Sequence, residues 1–292
     1  MTPPYLNVVG TGKLARTLVR LWVDRGLVQA GGFYNRTEAN TEAAINFCGG
    51  GSFARALKSM SDADIWLIGT PDDVIADTAK TLARIKEHWR GTVVFHASGL
   101  HSSALLSPLR DKGAFVASAH PAHSFARPEQ SLASYAGSTC TLEGDDEAIA
   151  RLRLLFERID STVITIPVAG KALYHTATVL AANYLVALQQ ASLGLLDRAG
   201  LEIAAATTLI QTLMSTALTN TQNLGITEAL TGPVARGDLD TLNAHLQALG
   251  SDSPGVLALY RELGKVAVTI ARDQARLSEA QLAAMEDLFS HR

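Results

Sequence analysis

A chain of 292 residues is long enough for two domains with separate cores, and its 47% hydrophobic and 18% charged residues fit a compact enzyme better than a disordered or fibrous protein. A net charge of -3 supplies no electrostatic attraction to nucleic acid or to an anionic membrane. The two cysteines, Cys48 and Cys140, have neither metal-ligand spacing nor the density of a disulfide framework. The first residues lack the basic and apolar stretches of an export signal, and no run of about 18 apolar residues appears, so the expected location is the cytoplasm.

Leu6, Val8 and Val9 read as a short buried strand, followed at once by Gly10-Thr11-Gly12-Lys13-Leu14-Ala15. The apolar spacing then becomes helical, with Leu14, Leu18, Leu21 and Trp22 on one face up to a stop near Arg25-Gly26. Strand, glycine turn and helix is the order that sets a pyrophosphate on a helix N-terminus. Gly10 permits the tight turn, Gly12 lets the backbone approach a phosphate, and Ala15 is the third small position. This is the expected dinucleotide site. Gln29 to Tyr34 reads as the second strand, ending in Asn35-Arg36-Thr37. At that place an NAD enzyme usually sets a carboxylate on the ribose 2′-hydroxyl. Here an amide, a guanidinium and a hydroxyl stand instead, and Arg36 facing a 2′-phosphate favours NADP by about 1.5–3 kcal/mol, roughly 10- to 150-fold in affinity.

Thr41 to Phe47 continues a helix that starts near Arg36 and is broken by Gly49-Gly50-Gly51, and Ser52 to Met60 reads as another short helix. Asp64 to Gly69 is a buried-strand pattern leading to Thr70-Pro71-Asp72-Asp73, a loop on the ligand side of a parallel sheet. The aspartates are expected to cap a helix through Ile85. Strands at Thr92 to Phe95 and Ala114 to Ala119 deliver His96-Ala97-Ser98-Gly99 and His120-Pro121-Ala122-His123 to one rim. Ser98 and His120 are therefore catalytic candidates. Strands at Gly137 to Leu142 and Val163 to Pro167, around a helix from Asp145 to Ile159, complete a dinucleotide-binding domain over residues 1–167.

Beyond Pro167 the strand–helix alternation stops, and residues 168–292 read as an all-α domain for substrate binding and dimerisation. Its expected helices are Lys171 to Ala199, Ile203 to Thr219, Leu239 to Leu249, Gly255 to Arg272 and Ser278 to Phe289, with a loop at 250–254. The first is apolar on most faces, which calls for cover from a second subunit; a homodimer is expected. On it Lys171, His175 and Asn183 are spaced i, i+4 and i+12, within one broad side, and join the catalytic candidates. Arg236 is read either as a carboxylate binder or as a surface partner of Asp238.

VVGTGKLA at the start, HASG at 96–99, AHPAHSF at 119–125, GKALYHTATVLAAN at 170–183 and LTGPVARGD at 230–238 together resemble the family of predicted oxidoreductases that join a Rossmann-like domain to a DUF2520 helical domain. The resemblance covers essentially the whole chain. The expected architecture is a doubly wound Rossmann-type α/β sheet followed by an all-α C-terminal domain, similar to ketopantoate reductase, pyrroline-5-carboxylate reductase and the 3-hydroxyisobutyrate and 6-phosphogluconate dehydrogenases. In that wider group the helical domain often supplies a catalytic lysine, which Lys171 with Asn183 resembles; His175, one turn on, departs from that pattern. Ser98 and His120-Pro121 also resemble the serine and His-Pro segment of prephenate dehydrogenases, without a matching arginine pattern for prephenate itself.

The reading is hydride transfer between NADP(H) and a small carbonyl, hydroxyl or imine substrate. His120, Lys171 or His175 supplies the proton, and Ser98 and Asn183 orient the substrate. No metal, nucleic acid or membrane partner is expected. The alternative is a non-catalytic NADP(H)-binding sensor, which needs the glycine turn and Arg36 but no proton donor.

Overall fold

The computed structural model describes residues 2–250 and 253–290; Ser251 and Asp252 of the expected 250–254 loop lie outside them, as do the first residue and the last two of the expected domains. The described chain divides into two compact units, residues 1–181 and 182–292.

The first unit is built on β1 (Tyr5–Val9), α1 (Lys13–Asp24), β2 (Gln29–Tyr34), α2 (Glu38–Cys48), β3 (Ser52–Phe53), β4 (Ile65–Ile68), α3 (Ile75–Ile85), β5 (Val93–His96), α4 (Ser107–Arg110), β6 (Phe115–Ala122), α5 (Pro128–Ser134), β7 (Thr139–Gly144), α6 (Asp146–Glu157), β8 (Thr162–Thr165) and α7 (Lys171–Thr178). The strands form one sheet in the order β3-β2-β1-β4-β5-β6-β7-β8. All neighbouring pairs are parallel except β6 with β7. Alternation along each central strand feeds two cores, one per face. Leu6, Val8, Leu67, Val93 and Phe95 join α1 and α6 on one side, where Trp22 packs edge-on against Phe95 and Phe156. Val9, Trp66, Ile68 and Val94 join α3 on the other. The doubly wound, Rossmann-type sheet is therefore present.

Several elements differ from the expectation, each for a tertiary reason. Ser52 to Met60 is not a helix: Ser52 and Phe53 pair with Gly32 and Phe33 as an edge strand, and a single tight turn over Leu57–Ser59 follows. Strand β6 runs on to Ala122, because antiparallel β7 pairs with it out to Ala122↔Thr139. His120 and Pro121 thus lie within a strand and not in a loop after it. Helix α2 begins at Glu38, after an extended Thr37, and covers the expected helical stretch from Thr41 to Phe47. Asp72 and Asp73 do not cap α3 through their side chains; a tight turn over Asp72–Val74 leads into it.

The second unit contains α8 (Tyr184–Arg198), α9 (Ile203–Ala229), α10 (Pro233–Arg236), α11 (Leu239–Leu249), α12 (Pro254–Asp273) and α13 (Glu279–Ser290). Leu242, Val268, Ala271, Leu282, Met285 and Phe289 form its core. Gly264 is required there, since a Cβ would stand 2.6 Å from the Phe289 ring. Helix α9 runs ten residues beyond the expected Thr219 and is broken at Gly225, whose φ is 78°. Its Leu209, Leu213, Leu218, Leu224 and Ile226 are exposed, as are Leu180, Tyr184 and Val186 before it.

The helix expected as one run from Lys171 to Ala199 contains a π turn at Val179–Asn183. That turn breaks the regular α spacing on which the grouping of Asn183 with Lys171 and His175 rested. The compact units divide inside it, whereas the sheet ends at Thr165, close to the expected junction at 167. The stretch Val168–Arg198 is, among the described residues, long and apolar enough to cross a membrane. Its first turn is nevertheless committed to the sheet: Lys171 is buried and hydrogen-bonded to a β6 side chain.

Candidate functional site

The carboxyl ends of β1, β2 and β4 open on a cavity of about 1110 Å³. This is the place where the strand order reverses, the usual ligand crevice of a doubly wound sheet. Gly10, Thr11, Gly12 and Lys13 line it from the first turn, Asn35, Arg36 and Thr37 from the end of β2, and Thr70 and Pro71 from the end of β4. Leu14 and Ala15 do not line it. Leu14 packs on the core, and Ala15 is buried, its Cβ facing Gly69.

The two glycines of the turn serve different ends. Gly10 has φ +86°, and a Cβ there would stand 2.7 Å from the Thr70 nitrogen, so the β1 and β4 turns touch only because it has none. At Gly12 a Cβ would meet only the Gly69 oxygen, at 3.9 Å, so the missing side chain leaves open space in the cavity. No side chain caps α1, and its first turn carries no acidic residue. Its positive end therefore faces the cavity with no acidic residue in its own first turn; Glu129 is the one carboxylate among the lining residues.

Asn35 is turned inward. Its Oδ1 accepts from Thr11 N at 2.8 Å, and its Nδ2 donates to Thr11 Oγ1 at 2.8 Å. The amide clips the end of β2 to the glycine turn. Arg16, another lining residue, donates from Nε to Thr11 O at 2.9 Å and from Nη2 to Asn40 O at 3.2 Å. Arg36 is exposed and has no such tie among the described residues. Thr70 Oγ1 is buried with no hydrogen-bond partner. The lining thus offers backbone N–H groups, cations and an orphaned hydroxyl, a set suited to phosphates.

Beside Thr70 and Pro71, Asp72 reaches the end of β5: Ser98 Oγ donates to Asp72 Oδ2 at 2.6 Å. Ser98 Oγ itself accepts from Leu100 N at 3.2 Å and His101 N at 2.9 Å. The only hydrogen of the Ser98 hydroxyl is therefore used within the loop. His96 is buried, takes Ser98 N on Nδ1 at 3.2 Å and so turns Nε2 as a donor toward Ser102 O at 3.1 Å. Burial pushes its pKa down to about 4. It is a neutral structural residue.

His120, from β6, meets α7. Its Nδ1 lies 2.8 Å from the Tyr174 hydroxyl, and its ring stands edge-on to His175 at 5.9 Å between centroids. Burial, then the charges of Lys171 and His175, push the His120 pKa down to about 4. Lys171 is buried and donates from Nζ to Ser118 Oγ at 2.7 Å; Ser118 in turn donates to the Ser98 carbonyl at 3.2 Å. Burial lowers the Lys171 pKa, and Glu143, also buried, opposes that. His120 and His175 are thus brought together, and Lys171 and Ser98 are joined through Ser118. Asn183 belongs to the second unit.

Ser118, Tyr174 and Asp72 were missed as site residues. The spacing of Tyr174 three residues after Lys171, on the same helix face, was the available signal. In the second unit Arg236 lies 3.7 Å from Asp238, the surface pairing of its two readings. Among the described residues no group of three or more His, Cys, Asp or Glu side chains could hold a metal, and Cys48 and Cys140 are buried free thiols.

No curated protein matches the chain. Among solved structures, a Thermotoga maritima protein is 28% identical, with a TM-score of 0.74 over 93% of this chain and 100% of its own. A Bacteroides fragilis protein described as a candidate NADP oxidoreductase is 18% identical, with a TM-score of 0.71 over 93% of this chain and 99% of its own. An imine reductase from Aspergillus terreus, solved in complex with NADPH4 and dibenz[c,e]azepine, is 14% identical, with a TM-score of 0.61 over 99% of this chain and 93% of its own. Pyrroline-5-carboxylate reductases share the fold as well. Residues 8–121 match the family profile described as a Rossmann-like domain, and residues 138–267 match that of DUF2520, a domain of unknown function; the chain joins a Rossmann-like domain to a DUF2520 domain.

Proposed function

We propose that the chain is a cytoplasmic NADP(H)-dependent oxidoreductase acting on a small carbonyl, hydroxyl or imine substrate, and that it works as a homodimer. The observation that carries this reading is the cavity at the β1–β4 switch point, with the uncapped N-terminus of α1 on one side and Arg36 on another. Its residues fit a dinucleotide: Gly12 leaves room for a pyrophosphate, and Thr70 Oγ1 is a buried hydroxyl lacking a partner. Arg36 would hold a 2′-phosphate, the end of β2 carrying Asn35, Arg36 and Thr37 and no carboxylate among these three. The similarity to the Bacteroides NADP oxidoreductase candidate and to the Aspergillus imine reductase bound to NADPH4 supports a nicotinamide cofactor. When bound, that cofactor supplies or accepts the hydride.

The protein's part is to hold the substrate and manage one proton. His120 is the group best suited to that work, being neutral at pH 7 and partly accessible. His175 stands next to it. Lys171 acts through Ser118, and the Ser98 hydroxyl shapes the loop; Asn183 is proposed to orient the substrate from the helical domain. Incubating the chain with NADPH and a panel of ketones, aldehydes and cyclic imines, while following nicotinamide oxidation, tests the activity. Turnover lost in His120→Asn by about 10²–10⁴ at unchanged NADPH affinity is the expected result. NADPH binding without turnover of any panel member would favour the sensor reading.

A further inference from the structure

Glu143 of β7 is 1% exposed, and both of its carboxylate oxygens go to one residue: Oε1 accepts from Ser103 N at 2.6 Å and Oε2 from Ser103 Oγ at 2.9 Å. A buried carboxylate stays ionised only where hydrogen bonds and a counter-charge replace the lost water. The sheet register supplies that counter-charge. Glu143 stands opposite Ser118 across the antiparallel β6–β7 pair, so the two side chains share one face. Ser118 Oγ accepts from Nζ of the buried Lys171 at 2.7 Å. An ammonium from α7 and a carboxylate from β7 are thus enclosed on the same face of the sheet.

These side chains also grip the loop after β5 at its two ends. Ser118 donates to the Ser98 carbonyl at 3.2 Å, Glu143 holds Ser103, and His96 Nε2 ties Ser102 O at 3.1 Å. Inside the loop, a Cβ on Gly99 would collide with His175 Nδ1 and stand 3.0 Å from His120 Nε2. The loop backbone therefore rests directly on both imidazoles.

Resting on the reading of His120 as the proton-handling group, we propose that Glu143 is a positioning residue for the reaction: its carboxylate is the counter-charge of the buried Lys171, and its bonds to Ser103 fix the loop on which the His120 and His175 rings rest. The charge acts through space. Burial disfavours the ammonium of Lys171, and Glu143 leads the groups that favour it, ahead of Cys140 and Asp72. The charged Lys171 in turn disfavours a proton on His120, alongside His175 and against Asp72. The hydrogen bonds act by geometry. A loop freed at Ser103 carries Gly99 away from the rings, and misplacing a reacting group by about 1 Å costs on the order of 10²-fold in rate.

The test is ¹⁵N NMR of the full-length protein labelled at lysine and histidine, titrated with pH, with Lys171→Met assigning the lysine signal. Glu143→Gln removes the charge and keeps an acceptor for Ser103 N; Lys171 should then give up its proton about tenfold more readily than in the wild type. Glu143→Asp keeps the charge and shortens the reach; the Lys171 titration should stay near that of the wild type, while the His120 and His175 ring signals move together. Turnover of a panel substrate by Glu143→Asp should fall by about 10- to 10²-fold at unchanged NADPH affinity. An unchanged Lys171 titration in Glu143→Gln overturns the counter-charge, and unmoved ring signals or full turnover in Glu143→Asp overturn the positioning role. If Glu143→Gln does not fold, the Glu143→Asp measurements decide the matter, since a shifted Lys171 titration there also overturns the counter-charge. A wild type that binds no NADPH or turns over no panel member defeats the underlying reading instead, and leaves the lysine and ring signals as they are.

Discussion

Lys171 donates to Ser118 at 2.7 Å, and Ser118 hands the bond on to the carbonyl of Ser98 at 3.2 Å, so a buried ammonium on α7 is tied through β6 to the loop after β5. The lysine expected to face a substrate is instead enclosed. A charge-assisted bond of this kind contributes about 1.5–3 kcal/mol, and removing one partner strands the other. Ser118→Ala and Lys171→Met should each destabilise the chain. The double variant should lose less than the sum, with a coupling of at least about 1 kcal/mol by denaturant unfolding. Strict additivity would mean that the two side chains do not act as a unit.

A buried and a half-buried histidine give the stability a pH dependence of known sign. His96 and His120 both titrate near 4 in the folded chain, below their ordinary value of 6.5. Above that value neither state binds the proton, and the full stability is present. As the pH falls from 6.5 towards 4, the unfolded chain takes up protons that the folded chain refuses, and stability is lost. For His96 the full effect is about 3 kcal/mol, as an order of magnitude. Unfolding free energy should drop through this window, and His96→Gln should flatten the slope. A profile level between pH 6.5 and 4 would contradict the buried, neutral assignment.

The parts legible in the sequence were those whose chemistry is local. Strand, glycine turn and helix at residues 5–24 were readable because Gly10 and Gly12 lie in one short segment with a clear change of period. The rest depended on partners distant in the chain. Ser52 and Phe53 are strand only because β2 offers an edge, and His120 sits inside β6 only because β7 lies antiparallel to it. Ser118 looks like any small strand residue until Lys171, 53 residues later, is placed against it. Asn35 stood at the expected ribose position, but its amide is used to fasten Thr11.

That fastening yields its own prediction. Asn35→Ala removes two hydrogen bonds between β2 and the glycine turn. It should weaken NADPH and NADH alike, by up to about tenfold, since the loss is in the shape of the turn. A loss confined to NADPH would place Asn35 at the 2′-phosphate instead.

Exposed leucines of α9, and the exposed Tyr184 and Val186 before it, are the side chains that the proposed homodimer would cover. Sedimentation at micromolar concentration should show a dimer, and Leu213→Glu or Val186→Glu should shift it towards monomer. A monomeric wild type would require another cover for those side chains.

The central claim is that the β1–β4 cavity is an NADP(H) site read by Arg36. Fluorescence titration of the wild type with NADPH and NADH, repeated on Arg36→Ala, addresses it directly. The account predicts that NADPH binds at least about tenfold more tightly than NADH, and that the variant loses most of this preference with NADH affinity nearly unchanged. Equal affinities in the wild type, or a preference that survives in Arg36→Ala, would contradict it.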